Sequence, residues 1–354
     1  MEQNNDEIIL EDLPSEQLDK EIETAGYKIN TYGADMTLEI LAKKVHEKEI
    51  SVPPFQRRYV WPVKKASRLI ESFLLGLPVP QIFLFRREKS QDLLVVDGQQ
   101  RLKTIYYFIQ TGKFDDGTDF YLQGVKQQWE GKDFNGISEP DKRRLKNSIL
   151  RTTIFEQVIP DNDFSMFEIF ERLNTGGIPL SQQEIRNCIY YGEIVNFLQE
   201  LNESEEWRLL LRKSSPDKRL RDIELILRFL ALYENWEEYK KPMKDFISNF
   251  MKKYQNINEE KKNKFKVIFL NCMANIYDQI GNSAFTLKGG INVAILDSIC
   301  VALARIGPEK INNFKEKYSK LLSLPAYQEY ISTWTTDKDR VEGRIKIAIE
   351  TISK

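Results

Sequence analysis

Hydrophobic and polar positions along this chain change period near residue 180: short apolar runs alternate with helical spacings before it, and the helical period dominates after it. Leu38, Leu41 and Val45 recur at helical spacing behind Thr37, which predicts a capped amphipathic helix over 37–49. Residues 51–62 read as extended, because a residue that precedes proline avoids the helical region. Pro62 suits the first turn of a helix that runs to Leu75, and Gly76 ends it. Two β runs, 81–85 and 93–96, are joined by a charged turn and predict an antiparallel hairpin. A helix over 99–110 then stops at Thr111-Gly112. Residues 113–148 are rich in glycine and charge, with a strand at 120–122, and Thr152, Thr153, Ile154 and Phe155 mark another over 150–158. Helices are predicted at 163–172, 181–190, 223–233, 244–254, 259–280, 291–306 and 340–352. The expected class is α+β: an acidic, flexible arm over 1–30, a mixed α/β domain over 31–180 and an all-helical domain over 181–354.

Charge sharpens that division. The formal net charge is −1, yet residues 1–25 carry nine acidic side chains against Lys20 alone, so the arm holds −8 and the remainder +7. Such an arm reads as a solvated tail, or as a competitor with a polyanion for the basic body. Lys/Arg clusters at 86–87, 142–144 and 212–221 suit either phosphate contacts or solvated faces. The acidic start lacks a signal-peptide pattern and no apolar run reaches the roughly 18 residues of a membrane span, so no membrane and a cytoplasmic location are expected. Cys188, Cys272 and Cys300 are far apart and form no CxxC pair, which reads as buried thiols. The one histidine, His46, lies on the polar side of its helix, so a histidine-metal finger and a Ser-His-Asp hydrolase are excluded.

Candidate chemistry gathers in four segments. In Asp97-Gly98-Gln99-Gln100-Arg101 a β run gives way to a helix N-terminus, the place where backbone N–H groups and the positive dipole end hold anions. Asp97 stands where an N-cap would. Gly98 lets the backbone approach a ligand, and Gln99, Gln100 and Arg101 supply donors. In Gln56-Arg57-Arg58-Tyr59-Val60-Trp61 strand alternation puts Gln56, Arg58 and Val60 on one side and Arg57, Tyr59 and Trp61 on the other. That pattern fits an edge strand packed on its rings, or arginines on a phosphate beside a stacking ring. Asn174-Thr175-Gly176-Gly177 is a helix stop that also permits close backbone approach to a ligand. Ser181 and Glu184 have capping-box spacing, while Glu184 could instead hold a metal and Arg186 an anion.

In this order, Phe55-Gln56-Arg57-Arg58-Tyr59-Val60-Trp61, Asp97-Gly98-Gln99-Gln100-Arg101, Phe170-Glu171-Arg172-Leu173-Asn174-Thr175-Gly176-Gly177 and Leu180-Ser181-Gln182-Gln183-Glu184-Ile185-Arg186-Asn187 resemble the N-terminal domain of GmrSD-type restriction enzymes, of the ParB/sulfiredoxin-like superfamily. The resemblance covers about residues 30–200 and implies an NTP-binding and NTP-hydrolysing module of a bacterial anti-phage system acting on modified DNA. It implies a nucleotide-phosphate site at Asp97, Gly98, Gln99, Gln100 and Arg101, with Gln56, Arg57, Arg58 and Tyr59 in the same pocket. Asn174, Gly176, Gly177, Arg186 and Asn187 are the further nucleotide contacts expected from it. Asp97, Gln100, Arg101 and Glu184 are the expected catalytic set, with Asp97 or Glu184 on Mg²⁺ or another divalent cation.

The chain departs from many relatives in having no histidine after residue 46, so no His-Asn-His nuclease centre is expected in its helical part. A separate nuclease chain would then cut DNA, or the protein would act by hydrolysis, binding or signalling alone. The alternatives are a DNA-binding or scaffolding module without turnover and a ParB-like metal-dependent nuclease. A homo-oligomer is compatible with either.

Overall fold

Leu93, Leu94, Val95 and Val96 are all buried, so this four-residue apolar run becomes an inner strand of a mixed sheet. The computed structural model describes residues 8–10, 28–51, 59–86, 91–159, 169, 181–287 and 289–354. Two compact units emerge: one is Thr24–Leu180, and the other joins Met1–Glu23 to Ser181–Lys354. Strands β1 (Lys28–Gly33), β3 (Ile50–Ser51), β4 (Ile82–Arg86), β5 (Leu93–Asp97) and β7 (Thr152–Ile159) make a sheet in the order β1-β7-β4-β5-β3. β4 and β5 pair antiparallel, as the hairpin pattern predicts, whereas β4–β7 and β3–β5 are parallel. The short β2 (Met36–Thr37) and β6 (Ile149–Leu150) form a separate ladder.

Helices α1 (Leu38–His46), α2 (Val63–Leu75), α3 (Gln99–Tyr106) and α4 (Glu139–Asn147) complete this unit. Thr37 caps α1 by accepting from the Ile40 N–H, and Gly76 closes α2 in the left-handed region with φ 71°. Pro62 is the N-cap of α2 and thus stands one place before its first turn. The core joins Leu38 and Leu41 of α1, Ile70 and Phe73 of α2, Leu84 and Val95 of the sheet, and Leu102 and Ile105 of α3. Beyond Tyr106, α3 continues as a π-turn over Tyr107–Thr111, in which the Gly112 N–H donates to the Tyr107 carbonyl at 2.7 Å.

Three expectations are corrected here. Residues 120–122 form no strand: Phe120 and Leu122 are buried, but their N–H groups donate to the Gly112 and Lys132 carbonyls, in turns. The arm is not free throughout residues 1–30, because β1 starts at Lys28 and residues 8–10 bond to the helical unit. Within 113–148, α4 forms behind the Ser138 cap.

The second unit contains α5 (Gln182–Ile189), α6 (Glu193–Asn202), α7 (Glu205–Leu210), α8 (Arg221–Asn235), α9 (Met243–Lys253), α10 (Glu259–Ile280), α11 (Val293–Ile306), α12 (Phe314–Ser323), α13 (Pro325–Ser332) and α14 (Lys338–Ser353). Apolar α11 lies at its centre, against α8 and α14. No helix among the described residues is long and apolar enough to cross a membrane. Trp207, Trp236 and Phe250 are core residues, and His46 is exposed.

All three cysteines are buried and outside any disulfide. Burial pushes the Cys272 thiol up to about 12, and the Cys300 thiol also rises. Native protein is therefore expected to resist an aromatic disulfide reagent and to label fully once denatured. Fast labelling of the native thiols would contradict this packing.

Candidate functional site

Asp97 ends β5 opposite Phe83, and the chain turns into α3 through Gly98. Gly98 has φ 95° and ψ 12°, a left-handed conformation, and a Cβ there would lie 2.3 Å from Ile82 Cγ2. Both constraints demand glycine. Gly98 is consequently the N-cap of α3, a position with no side-chain cap bond, which corrects the reading of Asp97 as the cap. No side chain caps the start of α3. Gly98→Ala is expected to cost about 2–4 kcal/mol, from backbone strain and overpacking together. A urea titration reads this directly, and a loss below about 1 kcal/mol would refute the tight fit.

Asp97 instead fixes Arg101. Arg101 Nη2 donates to Asp97 Oδ2 at 2.9 Å and to the Gln81 carbonyl at 3.0 Å. The Arg101 side chain is 17% exposed and that of Asp97 38%. Arg101 Nε is buried without a partner among the described residues. A guanidinium has five N–H donors, so holding it by Nη2 leaves the rest of the fork oriented and unused by these bonds.

Gln100 faces another part of the unit. Its Oε1 accepts from the Val60 N–H at 3.0 Å and the Trp61 N–H at 3.3 Å. One turn along α3, Thr104 Oγ1 lies 2.7 Å from the Tyr59 hydroxyl. This i, i+4 pair therefore pins residues 59–61 to the helix. Tyr59 packs edge-on to Tyr107 and against Phe114, with ring centroids 5.2 and 5.4 Å away. Burial pushes its phenol up to about 12, and burial with Asp115 nearby raises that of Tyr107 as well. A cleft of about 600 Å³ opens beside these groups, lined by Tyr59, Trp61, Phe114, Asp115, Asp116 and Thr118 among others. Tyr59 and Trp61 are half-buried while Val60 is exposed, the alternation expected of this segment. The signal for Phe114, Asp115 and Thr118 was absent from the motifs, because these residues meet Tyr59 only through the tertiary fold.

Tyr59, Asp97, Gly98, Gln99, Gln100 and Arg101 thus share the first unit. Gln56, Arg57, Arg58, Asn174, Gly176 and Gly177 lie outside the described residues. Glu184, Arg186 and Asn187 belong to the helical unit, on α5. Ser181 and Glu184 form a full capping box: the Ser181 N–H donates to Glu184 Oε2 at 2.6 Å and the Glu184 N–H to Ser181 Oγ at 3.1 Å. That cap accounts for Glu184. Arg186 is buried, donating from Nε to Ser248 Oγ at 3.1 Å, bonding to Gln183 and pairing with Glu224 at 3.3 Å. Burial lowers its pKa, with Glu224 acting in the opposite sense. Asn187 Oδ1 accepts from Gln183 Nε2 at 2.8 Å. No cluster of three or more His, Cys, Asp or Glu side chains suited to a metal occurs among the described residues.

Mixed sheet, left-handed glycine and helix start define a strand–turn–helix α+β domain, followed here by a helical one. Residues 38–191 match the model of the GmrSD restriction endonuclease N-terminal domain. The matched segment contains Asp97–Arg101 in full and closes just beyond α5. The chain is also 30% identical over 97 residues to an uncharacterized protein, MJ0686, of Methanocaldococcus jannaschii, covering 21% of this chain and 17% of that protein. It thus spans about a sixth of the length of the curated relative it matches.

Proposed function

We propose that the turn at residues 97–101 binds the phosphates of a nucleoside triphosphate and hydrolyses it, as the nucleotide-driven part of a restriction-type, anti-phage system that acts with DNA or a partner nuclease. The observation that carries this reading is the uncapped start of α3 behind Gly98, with Arg101 held beside it by Asp97 and Gln81. Fixed N–H donors and a fixed guanidinium are what developing charge on a transferred phosphoryl group requires. The match of residues 38–191 to a restriction-endonuclease N-terminal domain supports the setting. Tyr59 and Trp61 give the neighbouring cleft a wall on which a base can stack.

Asp97 fits a cation brought in by the nucleotide, since Mg²⁺ takes one or two carboxylates and completes its shell with phosphates and water. Such an ion would neutralise phosphate charge. Arg101 would orient the phosphates, Gln100 would position residues 59–61, and Gly98 would set the turn that starts α3.

The test is phosphate release from each of the four NTPs with Mg²⁺. Turnover by the native chain and a loss of about 100-fold in Asp97→Asn, with unchanged melting, is the expected result. No release from any NTP would overturn hydrolysis. The ion pair that already occupies Asp97 favours a second reading, in which the same turn binds a nucleotide without turnover. Calorimetric binding with no phosphate release distinguishes it.

A further inference from the structure

The cleft beside Tyr59 carries acidic groups that the stacking of a base does not use. Its two sides come from separate parts of the chain: Tyr59 and Trp61 precede α2, while Phe114, Asp115, Asp116 and Thr118 follow the π-turn. The volume of about 600 Å³ lies within the roughly 300–1,000 Å³ of small-molecule pockets, room for a base with its sugar.

The acidic side is a tight turn. The Phe114 N–H donates to the Thr118 carbonyl at 2.9 Å and the Gly117 N–H to the Phe114 carbonyl at 3.0 Å, with Gly117 at φ 83°. Phe114 stacks on buried Phe120 with ring centroids 4.4 Å apart, which roots the turn in the core. Asp116 Oδ1 accepts from the Thr118 N–H at 3.0 Å and from Thr118 Oγ1 at 2.5 Å, and these bonds hold its carboxyl below the usual range. Oδ2 stands outside both bonds. Asp115 differs, because its Oδ2 pairs with Lys103 at 3.1 Å.

The cleft also has an orphaned polar group behind its wall. Tyr107 is only 3% exposed, and its hydroxyl has no hydrogen-bond partner among the described residues. Its ring packs on Tyr59 and Phe114, with centroids 5.2 and 5.7 Å away, and its phenol feels the Asp115 carboxylate. All three neighbours line the cleft. A buried hydroxyl left unpaired costs stability, and a ligand held among these residues would supply the missing partner.

Bases differ in how they meet such a wall. An ionised carboxylate only accepts hydrogen bonds, whereas a phenol can donate one. Guanine presents two adjacent donors, N1–H and N2–H₂, and beside them O6 as an acceptor. Adenine and cytosine place a ring-nitrogen acceptor next to the amino group, and uracil has carbonyls on both sides of N3–H, so each sets a lone pair against the carboxylate.

Resting on the reading of residues 97–101 as a nucleotide-phosphate site, we infer that the nucleotide is a guanosine one, its base held between Tyr59 and the turn at 114–118 and read through N1–H and N2–H₂ by Asp116. Calorimetric binding of GTP, ATP, CTP, UTP, inosine triphosphate and xanthosine triphosphate to the full chain with Mg²⁺ tests this. GTP is expected to bind at least tenfold more tightly than any of the others, inosine triphosphate included, since that nucleotide lacks the N2 amino group. Asp116 is exposed, so Asp116→Asn leaves the core intact. It is expected to weaken GTP by about tenfold and to make xanthosine triphosphate the tighter ligand, because the C2 carbonyl of xanthine accepts from an amide. Equal affinity for all bases, or preference for another base, overturns the inference and leaves the phosphate reading standing. Binding of no nucleotide overturns both. A preference for GTP that survives Asp116→Asn in protein of unchanged melting temperature also overturns the inference.

Discussion

Alanine at Arg101 is expected to reduce phosphate release by about 100-fold or more, with the protein still folded. The native guanidinium is fastened at Nη2 by Asp97 and the Gln81 carbonyl, so its remaining donors are held without a conformational search when a phosphate arrives. Losing these two bonds costs about 1–3 kcal/mol of stability, and equilibrium denaturation separates that loss from the loss of turnover. Arg101→Lys is the sharper comparison. A lysine keeps the charge but offers one compact ammonium, which cannot both bond Asp97 and Gln81 and present a planar fork. Lysine is therefore expected to restore binding in part and turnover poorly. Full turnover in Arg101→Ala would remove Arg101 from the site.

Asp297→Ala is expected to destabilise the helical unit by about 3–5 kcal/mol, because it leaves buried positive charge without its carboxylate. Asp297, Arg228 and Arg344 are all buried, and Asp297 Oδ2 accepts from both guanidiniums. Burial pulls the Arg344 pKa down while Asp297 acts to raise it. Arg344 also donates to the Thr335 carbonyl, and its Nε has no partner among the described residues. Asp297→Asn keeps the volume and one acceptor, and is expected to lose nearly as much, since the charge is what is missing. Urea unfolding followed by circular dichroism measures both. A loss below about 1 kcal/mol for either would show that water reaches these arginines.

Local signals in the sequence anticipated local structure. Thr37, Gly76 and the Ser181–Glu184 pair each declare a helix boundary through bonds within four residues, and all three appear as read. β1 was missed because KINTYG pairs with β7, more than a hundred residues onward, and carries little alternation of its own. α4 was missed for a different reason: it buries Leu145 alone, so no apolar stripe betrays it. At the candidate site, residues 97–101 were legible as strand, glycine and helix. The cap was assigned to Asp97 because side-chain type does not reveal the sign of φ at the next residue. Gln100 stood out as a donor in the turn, whereas the structure uses its Oε1 as an acceptor that holds Val60 and Trp61. Arg186 reads as a possible anion binder, since nothing local announces the burial that α8 and α9 impose through Glu224 and Ser248.

The π-turn at the end of α3 gives the cleft a particular evolutionary freedom. One residue more than an α-helical turn rotates the emerging chain by about 100°. The segment from Phe114 to Thr118, which lines the cleft together with Tyr59, leaves the helix through that turn. A single-residue insertion or deletion at Tyr107–Thr111 would therefore re-aim that wall while sparing the Gly98 end of the helix. Ligand selection could thus drift among descendants of this domain without any change to residues 97–101.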